Sequence, residues 1–505
     1  MSEPSDVSSS YAPALRGLLV AVFLVLCWHY ASGLNLWGDE AYSLGFVEGR
    51  IPFADPSHLP AYYALLKVLT SLVPGTNELA LRMLHAVAFA LGLLFGATAV
   101  RRLTGSAAIA LVSLGVAVLL PEFHFYATNL RMYSLVFLAT MANVDALSRL
   151  AEGDGAPSSA RLAWYVASGA ALVAIDFPGL FYFAIGAGYL AVKWLRARRW
   201  NLLPILIVPL LPLVGFFLAN RSLIADLLRW SPEGVSAALF TSAFDFLQGM
   251  YLGFRPGLEL VYAAPLPTSI ALVLPPAVFA VVLLAARRQA VGVRGRSSAE
   301  PLIPLLALSW ILLVPTGFTF TRLFLPSQFF MVVVLVRATR SPEKTLRAAA
   351  TAAAVVLVLV NLYQALITTY RLDSIIPYRQ IADDIAALSD AEGIETILAS
   401  DNSLNVESIR RYLNRHTDGG RIRFLAVNDA ELARRATELN GRPFLFISHM
   451  GGKGAFIDIH QVTQGTPRLV REYVPLRSLP YNDLWKRRYT ERADQPDAID
   501  VWVVR

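Results

Sequence analysis

Charge is what this chain has least of. Of its 505 residues only 16% are Asp, Glu, Lys or Arg, while 55% are hydrophobic. A soluble globular protein carries about 25% charged residues, so this composition excludes an ordinary water-soluble fold. Cysteine is nearly missing as well. Cys27 stands alone inside the first apolar run, which rules out an intramolecular disulfide and reads as a small packing residue. The glycine run "HMGGKGAF" lacks the spacing and the Ser/Thr of a phosphate loop, arguing against a nucleotide site there. The N-terminus, "MSEPSDVSSS", is polar and acidic, so the first apolar run is expected to remain as a span rather than be cleaved. The net charge of +7 needs no nucleic acid to explain it, because the bases sort by topology.

What is present is a series of long apolar runs. Residues 15–34, 80–100, 107–120 and 348–370 each approach the length that crosses a bilayer. Eleven spans are expected: 15–34, 79–100, 106–121, 132–150, 162–177, 179–195, 202–219, 262–285, 301–319, 323–338 and 348–370. With the N-terminus cytoplasmic, the inner connections hold Arg101, Arg102, Arg149, Arg161, Lys193, Arg196, Arg198 and Arg199. Further along they hold Arg287, Arg288, Arg294, Arg296, Arg337, Arg340, Lys344 and Arg347. Short outer segments carry far fewer bases, as the positive-inside rule requires. An odd span count leaves the tail outside the membrane. There "TILAS", "RIRFLAV", "RPFLFIS" and "DAIDVWVVR" read as strands between the helical patterns "IADDIAALSDA" and "NDAELARRATELN". The expected architecture is mainly α: a polytopic transmembrane helical bundle over 1–370, followed by a small extracytoplasmic α/β domain over 371–505. The setting is the plasma (inner) membrane.

Polar residues collect in the outer segments. The first, about 35–78, opens with "LWGDEAYSL" and holds Asp39, Glu40, Tyr42, His58, Tyr62, Tyr63 and Lys67. A short helix is expected after the two carboxylates, and "LPAYYALLKVLTSLV" suits a helix lying in the interface, where tyrosine rings favour the headgroup boundary. The second, "PEFHFYATNLRMYS", holds Glu122, His124, Tyr126, Arg131 and Tyr133. Asp176 ends the fifth span, the segment 220–261 holds Arg221, Asp226, Arg229, Asp245, Gln248 and Arg255, and Arg322 stands at the outer edge of the tenth span. Carboxylates, arginines and tyrosines gathered on one face fit an anionic, lipid-linked substrate. Arginine matches phosphate oxygens with a planar fork of donors. Breaking a sugar–phosphate bond needs a stabilised leaving phosphate and a base for the acceptor hydroxyl, and Asp39 or Glu40 is the nearest carboxylate. Bland readings compete. An acid in the first turn of a helix is favoured by the dipole, and Lys67 can snorkel. Gly92 and Gly96 form a GxxxG of the kind that lets helices pack closely.

"LWGDEAYSL", "HLPAYYALLKVL", "LRMYSL" and "FTRLFLP", in that order, resemble the GT-C superfamily of integral-membrane glycosyltransferases. The nearest branch is the protein mannosyltransferase-like and lipid A aminoarabinose transferase-like one, matched over roughly residues 15–340. The resemblance implies Asp39 as the catalytic base with Glu40 beside it. It implies His58, Tyr62 and Lys67 in the donor pocket, Arg131 with Tyr133 holding the loop or phosphate, and Arg322 on the lipid phosphate. Leu59, Leu323 and Asp176 depart from the family's usual proline, tyrosine and histidine. Asp176 and His124 are further candidates, and with Asp39, Glu40 and His58 they could hold a divalent metal, although no spacing enforces one. The implied partners are a polyprenyl-phosphate-linked sugar, a glycan, lipid or protein acceptor, and membrane lipids, with no nucleic acid. Two other classes compete: a lipid or sugar transporter, and a membrane anchor for the tail. A transporter often shows internal repeats and polar breaks at mid-membrane, and neither is evident here. An anchor needs one span, not eleven.

Overall fold

Asn77 begins the longest helix by accepting the Ala80 amide with its side chain at 3.2 Å, and Gly105 ends it in a left-handed turn at φ 66°. Between them α4 (Glu78–Thr104) is apolar nearly all round, as a helix between lipid and protein must be. The computed structural model describes residues 7–32, 34–36, 38–49, 59–73, 77–152, 157–219, 268–291, 300–316, 324–367, 378–400, 405–416, 422–427, 429–439, 442–449, 467–473 and 499–504.

The other helices are α1 (Val7–Ser32), α2 (Gly38–Val47), α3 (Pro60–Leu72), α5 (Ala107–Val118), α6 (Pro121–Thr128), α7 (Tyr133–Ala151), α8 (Ser159–Ile175) and α9 (Phe177–Arg196). There follow α10 (Leu211–Ala219), α11 (Thr268–Val291), α12 (Leu302–Leu308), α13 (Leu325–Ala338) and α14 (Lys344–Ile367). Every one of the expected spans thus contains helix. By length and composition, however, only five described helices can cross a membrane alone, or six if the bent pair α5–α6 counts as one. Several expected spans are broken. Residues 200–210 wind as 3-10 helix before α10, and α12 gives way to 3-10 helix over Ser309–Thr316. A turn of 71° separates α5 from α6, so "PEFHFYAT" is a buried short helix rather than the expected outer loop.

The chain divides into two compact units. One holds α1 and α3–α14; the other holds α2 together with the C-terminal elements. In the first unit α4 packs on α7, and the contact is set by small residues. A Cβ on Gly92 would fall 2.7 Å from Phe137 Cδ1 and 3.0 Å from the Leu138 Cα, and one on Gly96 would fall 2.9 Å from Phe329 Cε1. Through that gap Phe89 stacks on Phe137 with 4.0 Å between centroids. Phe123 of α6 and Phe23 of α1 flank Phe89 at 5.1 and 5.7 Å. Four helices therefore share one aromatic column. Helix association in lipid rests on such close packing, because burying apolar surface gains little there.

The opposite end of α4 and α7 gathers charge. Asp145 is fully buried, with Arg149 Nε at 2.8 Å and Arg102 Nε at 3.3 Å. The Arg161 guanidinium donates to the Arg149 carbonyl at 3.1 Å, and Lys193 Nζ donates to the Ala151 carbonyl. Bases read from the sequence as inner-side markers are thus joined in one network capping α4, α7, α8 and α9.

The second unit contains α15 (Tyr378–Glu392), β1 (Thr396–Ser400), α16 (Asn405–His416), β2 (Arg423–Val427), α17 (Asp429–Glu438), β3 (Phe444–His449), β4 (Pro467–Tyr473) and β5 (Ile499–Val504). The strand order is β2-β1-β3-β5-β4; β1 pairs parallel with β2 and β3, while β5 runs antiparallel to β3 and β4. Leu398, Phe444, Phe446, Val504 and Ala436 form its core. The sequence reading had four strands and two helices of this domain; β4 and α16 are additions. Their segments, "PRLVREY" and "NVESIRRYLNRH", are rich in charge. Among the described side chains of α16, Ile409, Tyr412 and Leu413, at helical spacing, supply a narrow apolar edge. The acidic helix α2 also lies in this unit, whereas the sequence reading grouped residues 35–78 with the transmembrane part.

Gly92→Ala is expected to destabilise the protein by about 1–3 kcal/mol, because a backbone atom blocks relief of the clash. Thermal unfolding of the purified protein in detergent measures it, with Gly188→Ala, which meets nothing within 4 Å, as the neutral control.

Candidate functional site: a buried polar turn and an acidic helix

The polar turn lies between α6 and α7. Pro121 at the first position starts α6, and the helix stops at Asn129, whose backbone is extended (φ −78°, ψ 132°). Residues 121–134 are all buried. From α4, Arg82 reaches across and donates to the Thr128 carbonyl at 2.9 Å, holding the last turn of α6. Thr128 Oγ1 donates to the His124 carbonyl at 3.0 Å, and a ring nitrogen of His124 bonds the Val118 carbonyl at 2.6 Å. The His124 ring sits 5.5 Å from that of Phe23. His124 thereby joins α5, α6 and α1.

Arg131 is 5% exposed and Tyr133, at the start of α7, is 4% exposed. The Tyr133 ring meets that of Tyr126 edge-on at 5.1 Å. Buried in the same unit are Glu122, Glu78, Arg82 and His85. Two arginines and two carboxylates out of water are costly unless compensated, and such groups in membrane proteins mark working sites more often than packing. Tyr62 and Tyr63 form the buried edge of α3, and the Tyr62 ring lies 6.2 Å from that of His85 on α4. Lys67 lies on the exposed face of α3 with Leu65 and Val68. There its stem can lie in lipid and its ammonium at the headgroups. Asp176 is the single residue between α8 and α9, and it is buried.

Sequence reasoning missed Arg82, His85, Glu78 and Asn129. The first three carried a signal: two charged side chains and a histidine near the start of an apolar helix. Asn129 carried none. It is 1% exposed and neither atom of its amide has a hydrogen-bond partner among the described residues. A buried amide left unpaired costs about 1–3 kcal/mol.

The acidic helix is α2. It begins at Gly38, so Asp39 and Glu40 lie in its first turn rather than before it. Glu40, Ala41, Ser43 and Leu44 are fully buried. Two contacts bracket the helix. The Leu36 amide donates to the Tyr412 hydroxyl at 2.8 Å, and Arg411 Nη1 lies 2.6 Å from Glu48 Oε1. The Asp39 side chain, His58, Arg322 and the segment 220–261 lie outside the described residues. Among those that are described, no group of three His, Cys, Asp or Glu residues is placed to hold a metal ion.

No family model and no curated protein matches the sequence. Among solved structures the chain is similar to ArnT from Cupriavidus metallidurans bound to undecaprenyl phosphate. It is 16% identical to it, covering 96% of this chain and 97% of that one, with a TM-score of 0.53. The apo state of the same protein is 15% identical over 97% and 98%, with a TM-score of 0.54. An oligosaccharyltransferase of Archaeoglobus fulgidus is 12% identical over 88% and 70%, with a TM-score of 0.45. The likeness to ArnT spans the helical bundle and the small sheet alike. This chain therefore shares the fold of ArnT, in keeping with the fold expected from the order of its motifs.

Proposed function

We propose that this protein transfers a sugar from a polyprenyl-phosphate donor to an acceptor hydroxyl at the outer face of the plasma membrane. The observation that carries the reading is the end-to-end likeness to ArnT, solved with undecaprenyl phosphate bound. The buried arginine-bearing turn between α6 and α7 is consistent with it. In this reading the eleven apolar segments cross or re-enter the bilayer, and the α/β domain lies on the outer side.

The reaction is a single displacement. The acceptor oxygen attacks the anomeric carbon as the carbon–oxygen bond to phosphate breaks, which inverts that centre. Asp39 takes the acceptor proton, and Glu40 orients the acceptor or its neighbour. Arg131 and Arg322 neutralise the charge that grows on the departing phosphate, the point at which fixed donors accelerate a reaction most. Tyr62, Tyr133 and His58 line the donor, Lys67 meets the headgroup layer, and Asp176 is a further polar group of the donor side. The hydroxyl that accepts the sugar belongs to a glycan, a lipid or a protein.

In cells lacking the gene, mass spectrometry of extracted lipids should show a polyprenyl phosphosugar accumulating; an unchanged lipid profile overturns the reading. Asp39→Asn should reproduce that accumulation, with turnover lower by about 10²–10⁴-fold and undecaprenyl phosphate binding retained. Arg131→Ala should instead weaken undecaprenyl phosphate binding by about 10- to 100-fold, the loss of one or two charge-assisted hydrogen bonds. Binding titration in nanodiscs separates the two variants.

A further inference from the structure

We infer that Arg411 and Tyr412 of the C-terminal domain are positioning residues for the acidic helix α2, so that the small α/β domain takes direct part in sugar transfer. The inference rests on the assignment of Asp39 as the base, and it assigns a task to a domain that the transfer chemistry itself does not require.

Its basis is a clamp with two points. Leu36 precedes α2 and is fully buried; its amide would be orphaned at a cost but for the Tyr412 hydroxyl at 2.8 Å. Glu48 follows α2 directly, and its carboxylate meets Arg411 at 2.6 Å. Ten residues of helix span about 15 Å. One contact at each end of such a rod restricts both its slide and its turn about its own axis. The two clamping side chains, Arg411 as donor and Tyr412 as acceptor, are adjacent in sequence, and neighbouring side chains on a helix diverge by about 100°. That divergence lets a single turn of α16 hold the two ends of α2 at once.

The clamp is itself held. Arg411 is 6% exposed, and Tyr412, Ile409 and Leu413 are buried beside it. On α15 the Arg379 guanidinium lies 5.3 Å from the centre of the Tyr412 ring, covering the phenol that holds Leu36. Residues 36 and 412, or 48 and 411, are more than 360 positions apart in the chain. A tether of that separation has no local purpose in either segment. α2 carries Asp39 and the fully buried Glu40 in its first turn, one turn from the Tyr412 contact. General-base catalysis depends on placing a carboxylate within hydrogen-bond reach of the acceptor proton. A displacement of about 1 Å at such a group can cost about 10²-fold in rate.

The test uses full-length protein in nanodiscs and cells carrying each variant. Arg411→Met and Tyr412→Phe should speed hydrogen–deuterium exchange of amides 38–47. Each should lower turnover about 10- to 100-fold, read as the polyprenyl phosphosugar left in cells, with undecaprenyl phosphate affinity unchanged. The charge swap Glu48→Arg with Arg411→Glu should restore both exchange protection and turnover, a rescue that a merely structural loss would not give. Unchanged exchange over 38–47, faster exchange with normal turnover, or a swap that rescues neither would each overturn the inference. Asp39→Asn separates this from the underlying assignment. Full turnover in that variant, with wild-type exchange, would remove the base and leave the clamp standing.

Discussion

The close approach of α4 and α7 at Gly92 is the constraint on which the membrane unit depends. With no Cβ there, Phe89 and Phe137 lie face to face at 4.0 Å, and the column they form reaches α6 and α1 through Phe123 and Phe23. The same helix carries Arg82 toward the polar turn and Arg102 toward the buried Asp145. A shift of α4 against α7 would move both ends together. In lipid no hydrophobic force restores the contact, so interlocking shape and a few polar bonds must do it.

Polar groups in this unit are therefore sorted by depth and by partner. At one end Asp145 is shared by two arginines, with Arg161 and Lys193 bonding nearby carbonyls. These are satisfied structural contacts. At the other, the α6–α7 turn holds the buried Arg131 and, beside it, an Asn129 amide with no hydrogen-bond partner among the described residues. Natural folds keep such costly groups mainly where they meet something else. The acidic helix follows a different logic, since its anchors come from the C-terminal α/β domain, whose sheet lies hundreds of residues downstream.

Much of this was readable in the residues. Long apolar runs have one stable form in a bilayer, because an unpaired backbone in hydrocarbon is prohibitive, and each run does contain helix. Alternating apolar patterns marked four strands of the tail, and the small residues Gly92 and Gly96 marked a close helix contact. Less legible was where a helix breaks. The 71° turn before Pro121 and the 3-10 stretch from Ser309 lie within runs whose composition hardly changes. The charged segments of β4 and α16 also escaped, since their apolar edges are narrow and acquire meaning only beside a sheet.

Composition and motif order by themselves determined the membrane class, the family likeness of the fold, and the two acids after the first run. Those properties follow from local chemistry: hydrophobicity per residue, charge at helix ends, and residue spacing. Tertiary structure alone decided which side chains meet. It placed Arg82 on the Thr128 carbonyl, tied the His124 ring to the Val118 carbonyl, put Lys67 on an exposed face, and gave α2 to the C-terminal domain through Tyr412 and Arg411. The physical reason is distance along the chain. A contact between residues hundreds of positions apart leaves no period or pattern in either segment, and it exists only once the whole domain has closed around it.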